Sequence, residues 1–227
     1  MIGVTENLAS ISDLLAFSAR EANREPDAVK LLAVSKKQSL AKILAAVDAG
    51  QRDFGENFVQ EGLEKIDKTR NLGLIWHFIG HLQNNKTRVV AENFDWVHTI
   101  DKLKTARRLS EQRPEALGRL NICLQVNVDS EPGKSGIAID ALPELAAACS
   151  ELPNIRLRGL MCLPAIRSGF EEQRLPFAKL HELADLLQDS GIETDTLSMG
   201  MSGDYRAAIF EGATIVRIGT ALFGDRK

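Results

Sequence analysis

The run Lys30-Leu31-Leu32-Ala33-Val34-Ser35-Lys36 reads as a buried strand that ends in an amine. A strand built from Leu and Val has no need of a lysine at its exit. On the rim of a packed sheet, Lys36 loses part of its hydration. That loss disfavours the ammonium and leaves a nucleophile able to form a Schiff base with a carbonyl. Taken alone, the same pattern also describes an ordinary strand cap with its head in water. Two further segments suit a phosphate: Ser198-Met199-Gly200-Met201-Ser202-Gly203 and Arg217-Ile218-Gly219-Thr220. Small residues let backbone N–H groups approach an anion, hydroxyls add donors, and a helix start favours negative charge. Tight turns and an N-cap serine at Ser202 would leave the same trace without any ligand.

These residues need a scaffold that brings them to one place. The chain alternates short β-rich runs with amphipathic helical segments. A helix is expected over 5–23, with Leu8, Ile11, Leu15 and Ala19 on one stripe. Strands are expected at 30–35, 53–55, 75–78, 96–99, 121–128, 156–160, 196–198 and 214–217. Helices are expected at 40–49, 57–69, 83–91, 101–112, 140–150, 171–189 and 207–211, with a last turn at Ala221 and Leu222. Eight strand–helix units predict an α/β fold, a single (β/α)8 TIM barrel, with an extra N-terminal helix to plug or cover one end. A doubly wound dinucleotide fold would want G-x-G-x-x-G after its first strand, where this chain has Ser35-Lys36-Lys37-Gln38. No Pro/Ser-rich linker or change of composition divides the chain, so residues 1–227 are expected to form one domain.

The composition removes several classes of function. With 28 basic and 31 acidic residues the net charge is -3, which offers no footprint for nucleic acid or an anionic membrane. Cys123, Cys149 and Cys162 form no C-x-x-C pair and sit in apolar segments, as reduced buried thiols do. The spacing of His77, His81, His98 and His181 does not supply a zinc site. Acidic Glu6 and Asp13 in the early turns argue against a signal peptide, and no apolar stretch reaches membrane-spanning length. A cytoplasmic protein is expected, and the lack of an apolar dimer stripe points to a monomer.

In a barrel the strand exits share one mouth, and phosphate sites favour the loops after the seventh and eighth strands. An amine and a phosphate cradle at that mouth suit pyridoxal 5′-phosphate (PLP) or another phosphorylated aldehyde or ketone. Several segments resemble the YggS/PROSC family of pyridoxal-phosphate-binding proteins. They are Leu31-Leu32-Ala33-Val34-Ser35-Lys36, Phe54-Gly55-Glu56-Asn57 with Val59-Gln60-Glu61, Trp76-His77-Phe78-Ile79-Gly80, and Leu82-Gln83 with Asn85-Lys86. Further on come Lys134-Ser135-Gly136, Arg158-Gly159-Leu160-Met161, Leu197-Ser198-Met199-Gly200-Met201-Ser202, and Val216-Arg217-Ile218-Gly219-Thr220 with Phe223-Gly224. The family is similar in fold to the barrel domain of alanine racemase.

The resemblance implies that Lys36 holds the cofactor as an internal aldimine. It implies that Arg217 meets the pyridine nitrogen and that the backbone after it, at Gly219, meets the phosphate. An arginine there stays charged and keeps the ring a weak electron sink. Ser202 fits the phosphate serine by its spacing to Arg217. Ser198 and Thr220 are further candidate contacts, and Asn57 would orient Lys36 or the phenolic oxygen. His77 either lines the mouth or is a satisfied barrel histidine. Lys134, in a loop after the fifth strand, is either an accessory lysine or a solvated one. The chain departs from the family at His81, where proline is usual, at Gln38, and at Gly203 and Tyr205 in the Ser-x-Asp-Met stretch.

Two functions follow. One is a carrier or buffer of PLP in vitamin B6 homeostasis, without robust catalysis and with PLP-dependent apo-enzymes as partners. The other is a PLP-dependent amino-acid racemase. Racemisation needs an acid–base group on each face of the α-carbon. Alanine racemases take the second group from a tyrosine in a second domain of a partner subunit, and no such domain is expected here. Tyr205, the chain's single tyrosine, sits beside the phosphate loop, so the carrier is favoured.

Overall fold

A computed structural model describes residues 3–224; the expected domain limits at positions 1 and 227 lie outside them. Eight parallel strands close into a barrel in chain order. They are β1 (Lys30–Val34), β2 (Asp53–Glu56), β3 (Ile75–Phe78), β4 (Trp96–Ile100), β5 (Leu120–Val126), β6 (Ile155–Cys162), β7 (Thr196–Met201) and β8 (Ile215–Ile218). Closure is made by β8 against β1, with Lys30 opposite Ile215 and Leu32 opposite Arg217. Around them lie α1 (Val4–Glu21), α2 (Leu40–Asp48), α3 (Val59–Lys68), α4 (Thr87–Asn93), α5 (Leu103–Gln112), α6 (Leu142–Ser150), α7 (Phe170–Asp189), α8 (Tyr205–Phe210) and α9 (Thr220–Phe223).

The N-terminal helix neither plugs nor caps the barrel. The expected stripe of Leu8, Ile11, Leu15 and Ala19 is buried, and α1 packs against α2, α8 and α9. Among the described residues α9 is a single turn, and α1 packs beside it in the outer ring. Asn7 Nδ2 ties the two together by donating to Leu222 O at 3.0 Å. The start of the expected 83–91 helix is a 3-10 turn, Asn84–Lys86, that leads into α4.

Strand alternation separates two interiors. Residues such as Phe54 and Phe78 point outward to the helices, where Phe78 meets Phe94 edge-on at 5.5 Å, within the main apolar core. Inside the barrel, Trp96, Cys123 and Met161 form a small cluster of their own. His77 stacks on Trp96 at 5.3 Å. The three cysteines are free and buried, and burial pushes each thiol up to about 12. Among the described residues no helix is long and apolar enough to cross a membrane, and no group of His, Cys, Asp and Glu could hold a metal ion.

Candidate functional site

At the C-terminal mouth lies a cavity of about 400 Å³, walled by Lys36, Asn57, Ser202, Arg217, Gly219 and Thr220 among others. Six of the seven residues expected from the sequence thus share one space. A larger groove, about 920 Å³, opens near the starts of β6 and β7. It contains no amine, imidazole or thiol, and its Arg158 is already paired to Asp195 at 2.7 Å. Size therefore does not mark the site; chemistry does.

Lys36 lies just past the strand, on a turn, because β1 stops at Val34. A buried ion cluster builds that turn. Ser35 Oγ donates to Glu56 Oε1 at 2.6 Å. Lys65 Nζ donates to Ser35 O at 2.6 Å, to Glu56 Oε1 at 2.7 Å and to Glu61 Oε1 at 2.6 Å. The Lys37 N–H reaches Glu61 Oε1 at 2.5 Å, with Lys37 in the left-handed region at φ +57°. Both neighbours of Lys36 are clamped, so its half-buried side chain leaves a fixed backbone towards the mouth. Burial pushes the Glu56 carboxyl up, more than Lys65 and Ser35 pull it down.

Asn57 follows β2, and its Oδ1 is buried without a hydrogen-bond partner. A buried amide oxygen left without a donor costs free energy unless a ligand supplies one. Gly80 allows this placement: a Cβ there would stand 2.0 Å from Asn57 O. Thr99 Oγ1 holds the same backbone by donating to Gly80 O at 2.6 Å. Gly80→Ala must push the two segments apart. It is expected to lower stability by about 1–3 kcal/mol, read as a lower denaturant midpoint at unchanged slope.

The loop after β7 is shaped for an anion. Gly200 has φ +90°, and a Cβ on it would meet Ala208 Cβ at 2.6 Å. Asp204 pins the turn, with its Oδ1 accepting from Met201 N at 2.6 Å and its own N–H donating to Met201 O at 3.1 Å. The backbone N–H groups of Ser202 and Gly203 then donate to nothing among the described residues. Both residues line the cavity, and open space stands where a Gly203 Cβ would be.

Arg217 forms the floor. Its Nη1 donates to Ser198 O at 2.6 Å and to Ser198 Oγ at 2.9 Å, and its Nη2 donates to Cys162 O at 2.9 Å. Burial lowers its pKa, yet a guanidinium keeps its charge at physiological pH. No carboxylate stands within ion-pair distance among the described residues. A buried cation facing a cavity without a counter-charge suits an electron-rich or anionic ligand.

Ser198 is placed differently from the expectation. It is fully buried inside the barrel, off the cavity wall, and its contacts are with Arg217 and His98. An inward position within β7, below the exit, keeps it from the loop that follows the strand. His77 is likewise a buried interior residue and does not line the mouth. Lys134 stands exposed on its loop and pairs with Glu131. The sequence reading missed Lys65, His98 and the pairing role of Glu56. It also missed the apolar wall of Ile79, Met161, Leu163 and Met201. The Glu61/Lys65 spacing of four on a helix was a readable signal.

Residues 13–227 match the family described as alanine racemase, N-terminal domain. The pyridoxal phosphate homeostasis protein of Pseudomonas aeruginosa is 54% identical over 226 residues, covering 100% of this chain and 97% of that one. The protein of the same name from Escherichia coli K12 is 50% identical over 234 residues, covering 100% and 98%. Among solved structures, PipY of Synechococcus elongatus PCC7942, solved with PLP bound, superposes with a TM-score of 0.85 at 38% identity, covering 97% of this chain and all of that one. The alanine racemase of Corynebacterium glutamicum, at 17% identity and a TM-score of 0.69 over 94% of this chain and 61% of that one, shares the fold. Barrel, mouth and sequence agree: the chain belongs to the family of the alanine racemase N-terminal domain, alongside the pyridoxal phosphate homeostasis proteins.

Proposed function

We propose that this chain binds PLP in the mouth cavity, holds it on Lys36 as a Schiff base, and serves PLP homeostasis as a carrier or buffer. The observation that carries this reading is the buried Arg217 cation, which shares one 400 Å³ cavity with Lys36 and the unused N–H groups of Ser202 and Gly203. An aldehyde, a ring nitrogen and a phosphate on one small molecule match those three features. Ser202, Gly203, Gly219 and Thr220 would hold the phosphate. Arg217 would donate to the ring nitrogen, and Asn57 Oδ1 would accept from a donor on the ligand or on Lys36. The cofactor supplies an aldehyde that condenses with an amine, releasing water. The names of the full-length relatives and the PLP-bound PipY structure support the same ligand.

The reading extends to a cytoplasmic monomer that passes its ligand to PLP-dependent apo-enzymes. The walls favour holding over turnover. Lys36 and Arg217 are the ionisable side chains on the described cavity wall, and Arg217 cannot give up its proton. Racemisation would need a second acid–base group, and Tyr205 packs against the main core instead.

Titrating the purified protein with PLP is expected to raise an imine absorbance band. Borohydride reduction and peptide mass analysis should then place the pyridoxyl group on Lys36. A label confined to other lysines would refute the assignment.

A further inference from the structure

A column of polar side chains runs through the barrel from its N-terminal rim to the floor of the mouth. At the rim, Asp53 Oδ1 accepts from Lys30 Nζ at 3.1 Å and lies 3.1 Å from His77 Nε2. His77 Nδ1 is 2.9 Å from His98 Nε2, and His98 Nδ1 is 2.8 Å from Ser198 Oγ. Ser198 Oγ accepts from Arg217 Nη1 at 2.9 Å. His77, His98 and Ser198 are fully buried.

Proton counting leaves one arrangement. Burial pushes Asp53 up, but His77 and Lys30 more than offset it, so Asp53 is a carboxylate. It accepts, so His77 Nε2 carries the hydrogen. Burial holds both rings neutral, with His98 well below its ordinary value through burial and then the neighbouring His77 and Arg217. Neutral His77 therefore accepts at Nδ1, and His98 must donate from Nε2. His98 then accepts at Nδ1, which takes the Ser198 hydroxyl hydrogen and leaves Ser198 Oγ to accept from Arg217. Every hydrogen points from Arg217 towards Asp53, and every imidazole nitrogen and the Ser198 hydroxyl are satisfied.

We propose that His77, His98 and Ser198 form a one-way hydrogen-bond relay that positions Arg217 for the ring nitrogen of the ligand while keeping its counter-charge at the far end of the barrel. A carboxylate beside Arg217 would fix the guanidinium equally well but would neutralise it at the mouth. Here three bonds, to Ser198 O, Ser198 Oγ and Cys162 O, fix the guanidinium plane. They consume both Nη1 hydrogens and one on Nη2. The Nε–H and the second Nη2 hydrogen stay available to an acceptor. Successive bonds of one direction polarise each other, so the distant Asp53 strengthens Ser198 as an acceptor. The relay thereby selects a ligand whose ring nitrogen is unprotonated. Ser198 and His98 are positioning residues, and their assignment rests on the PLP reading for the identity of the ligand.

The test has two arms. On the ligand-free protein, nitrogen-15 NMR of the histidine side chains should show His77 and His98 neutral and in the Nε2–H form from pH 7 to pH 8. A cationic ring, or an Nδ1–H form of His98, overturns the relay. In the second arm, Ser198→Ala is expected to weaken PLP binding about tenfold, the scale of one charge-assisted hydrogen bond. The 1-deaza analogue, with carbon in place of the ring nitrogen, should bind the variant and the parent alike. His98→Gln, whose amide can donate to His77 and accept from Ser198, should recover most of the affinity that His98→Leu loses. An equal loss for PLP and its deaza analogue would make Ser198 merely structural and refute the positioning role. A parent protein that binds neither ligand overturns the PLP reading, and the ring tautomers then decide the relay alone.

Discussion

Lys36→Ala is expected to erase the protein's ability to tell PLP from pyridoxine 5′-phosphate, which carries an alcohol where PLP carries its aldehyde. The two ligands share the ring nitrogen and the phosphate, so under the proposed binding mode Arg217 and the Ser202–Gly203 turn should hold them equally. They differ in whether an amine can condense with them. In the parent protein the aldehyde should bind tighter by on the order of a hundredfold, the contribution of a covalent bond offset by loss of water. In the variant both should bind alike, at the affinity the alcohol has in the parent, and borohydride should leave no pyridoxyl group in the cavity. The variant should keep the turn, because Ser35 and Lys37 tie it to Glu56, Glu61 and Lys65. Dissociation constants for the two ligands, measured side by side, decide the matter. A variant that keeps the preference for the aldehyde would show that Lys36 is not the amine that reads it.

The fold was largely legible because each strand unit repeats a local pattern that needs no long-range knowledge. A short strand-like run, a polar exit and a helical segment recur along the chain, and closure follows from parallel pairing and right-handed crossovers. What the pattern could not supply was depth along the barrel axis. Ser198 and Ser202 are both hydroxyls near the exit of β7, yet Ser198 belongs to the interior and Ser202 to the mouth. The relay was missed for the same reason: His77 and His98 meet across neighbouring strands, and Ser198 joins from a strand 100 residues further on. One clue was present. His77 and His98 each occupy the third position of their strand, so alternation puts both on the inner face. The place of α1 was also hidden, since nothing local says that it would pack beside α9.

Lys65→Met should be among the most damaging single substitutions in the chain, and its damage should depend on pH. The side chain of Lys65 is buried against Glu56, whose carboxyl is wholly out of water. Glu56 Oε2 already lacks a partner. Methionine keeps the length of the lysine stem but leaves Glu56 as a buried charge with Ser35 Oγ as its remaining donor. Breaking a buried pair from one side costs about 3–5 kcal/mol. The carboxyl of Glu56 is already raised above the ordinary 4.5, first by burial, and losing its cation must raise it further. A carboxyl whose folded pKa lies above its unfolded one binds protons more tightly when folded. Ionisation therefore carries a penalty that is fully present above the folded pKa, shrinks as pH falls through it, and is gone below the unfolded value. The variant should thus gain stability on acidification from pH 8 towards pH 5, over a wider range than the parent. Denaturant midpoints across that range provide the measurement. A variant whose deficit stays constant with pH would show that Glu56 is not the group left stranded. Adding Glu56→Gln to Lys65→Met should remove the pH dependence, because the amide has no charge to bury. The same double variant loosens the Ser35–Lys37 turn, so its PLP affinity reports how far the clamp, rather than Lys36 alone, sets the aim of the amine.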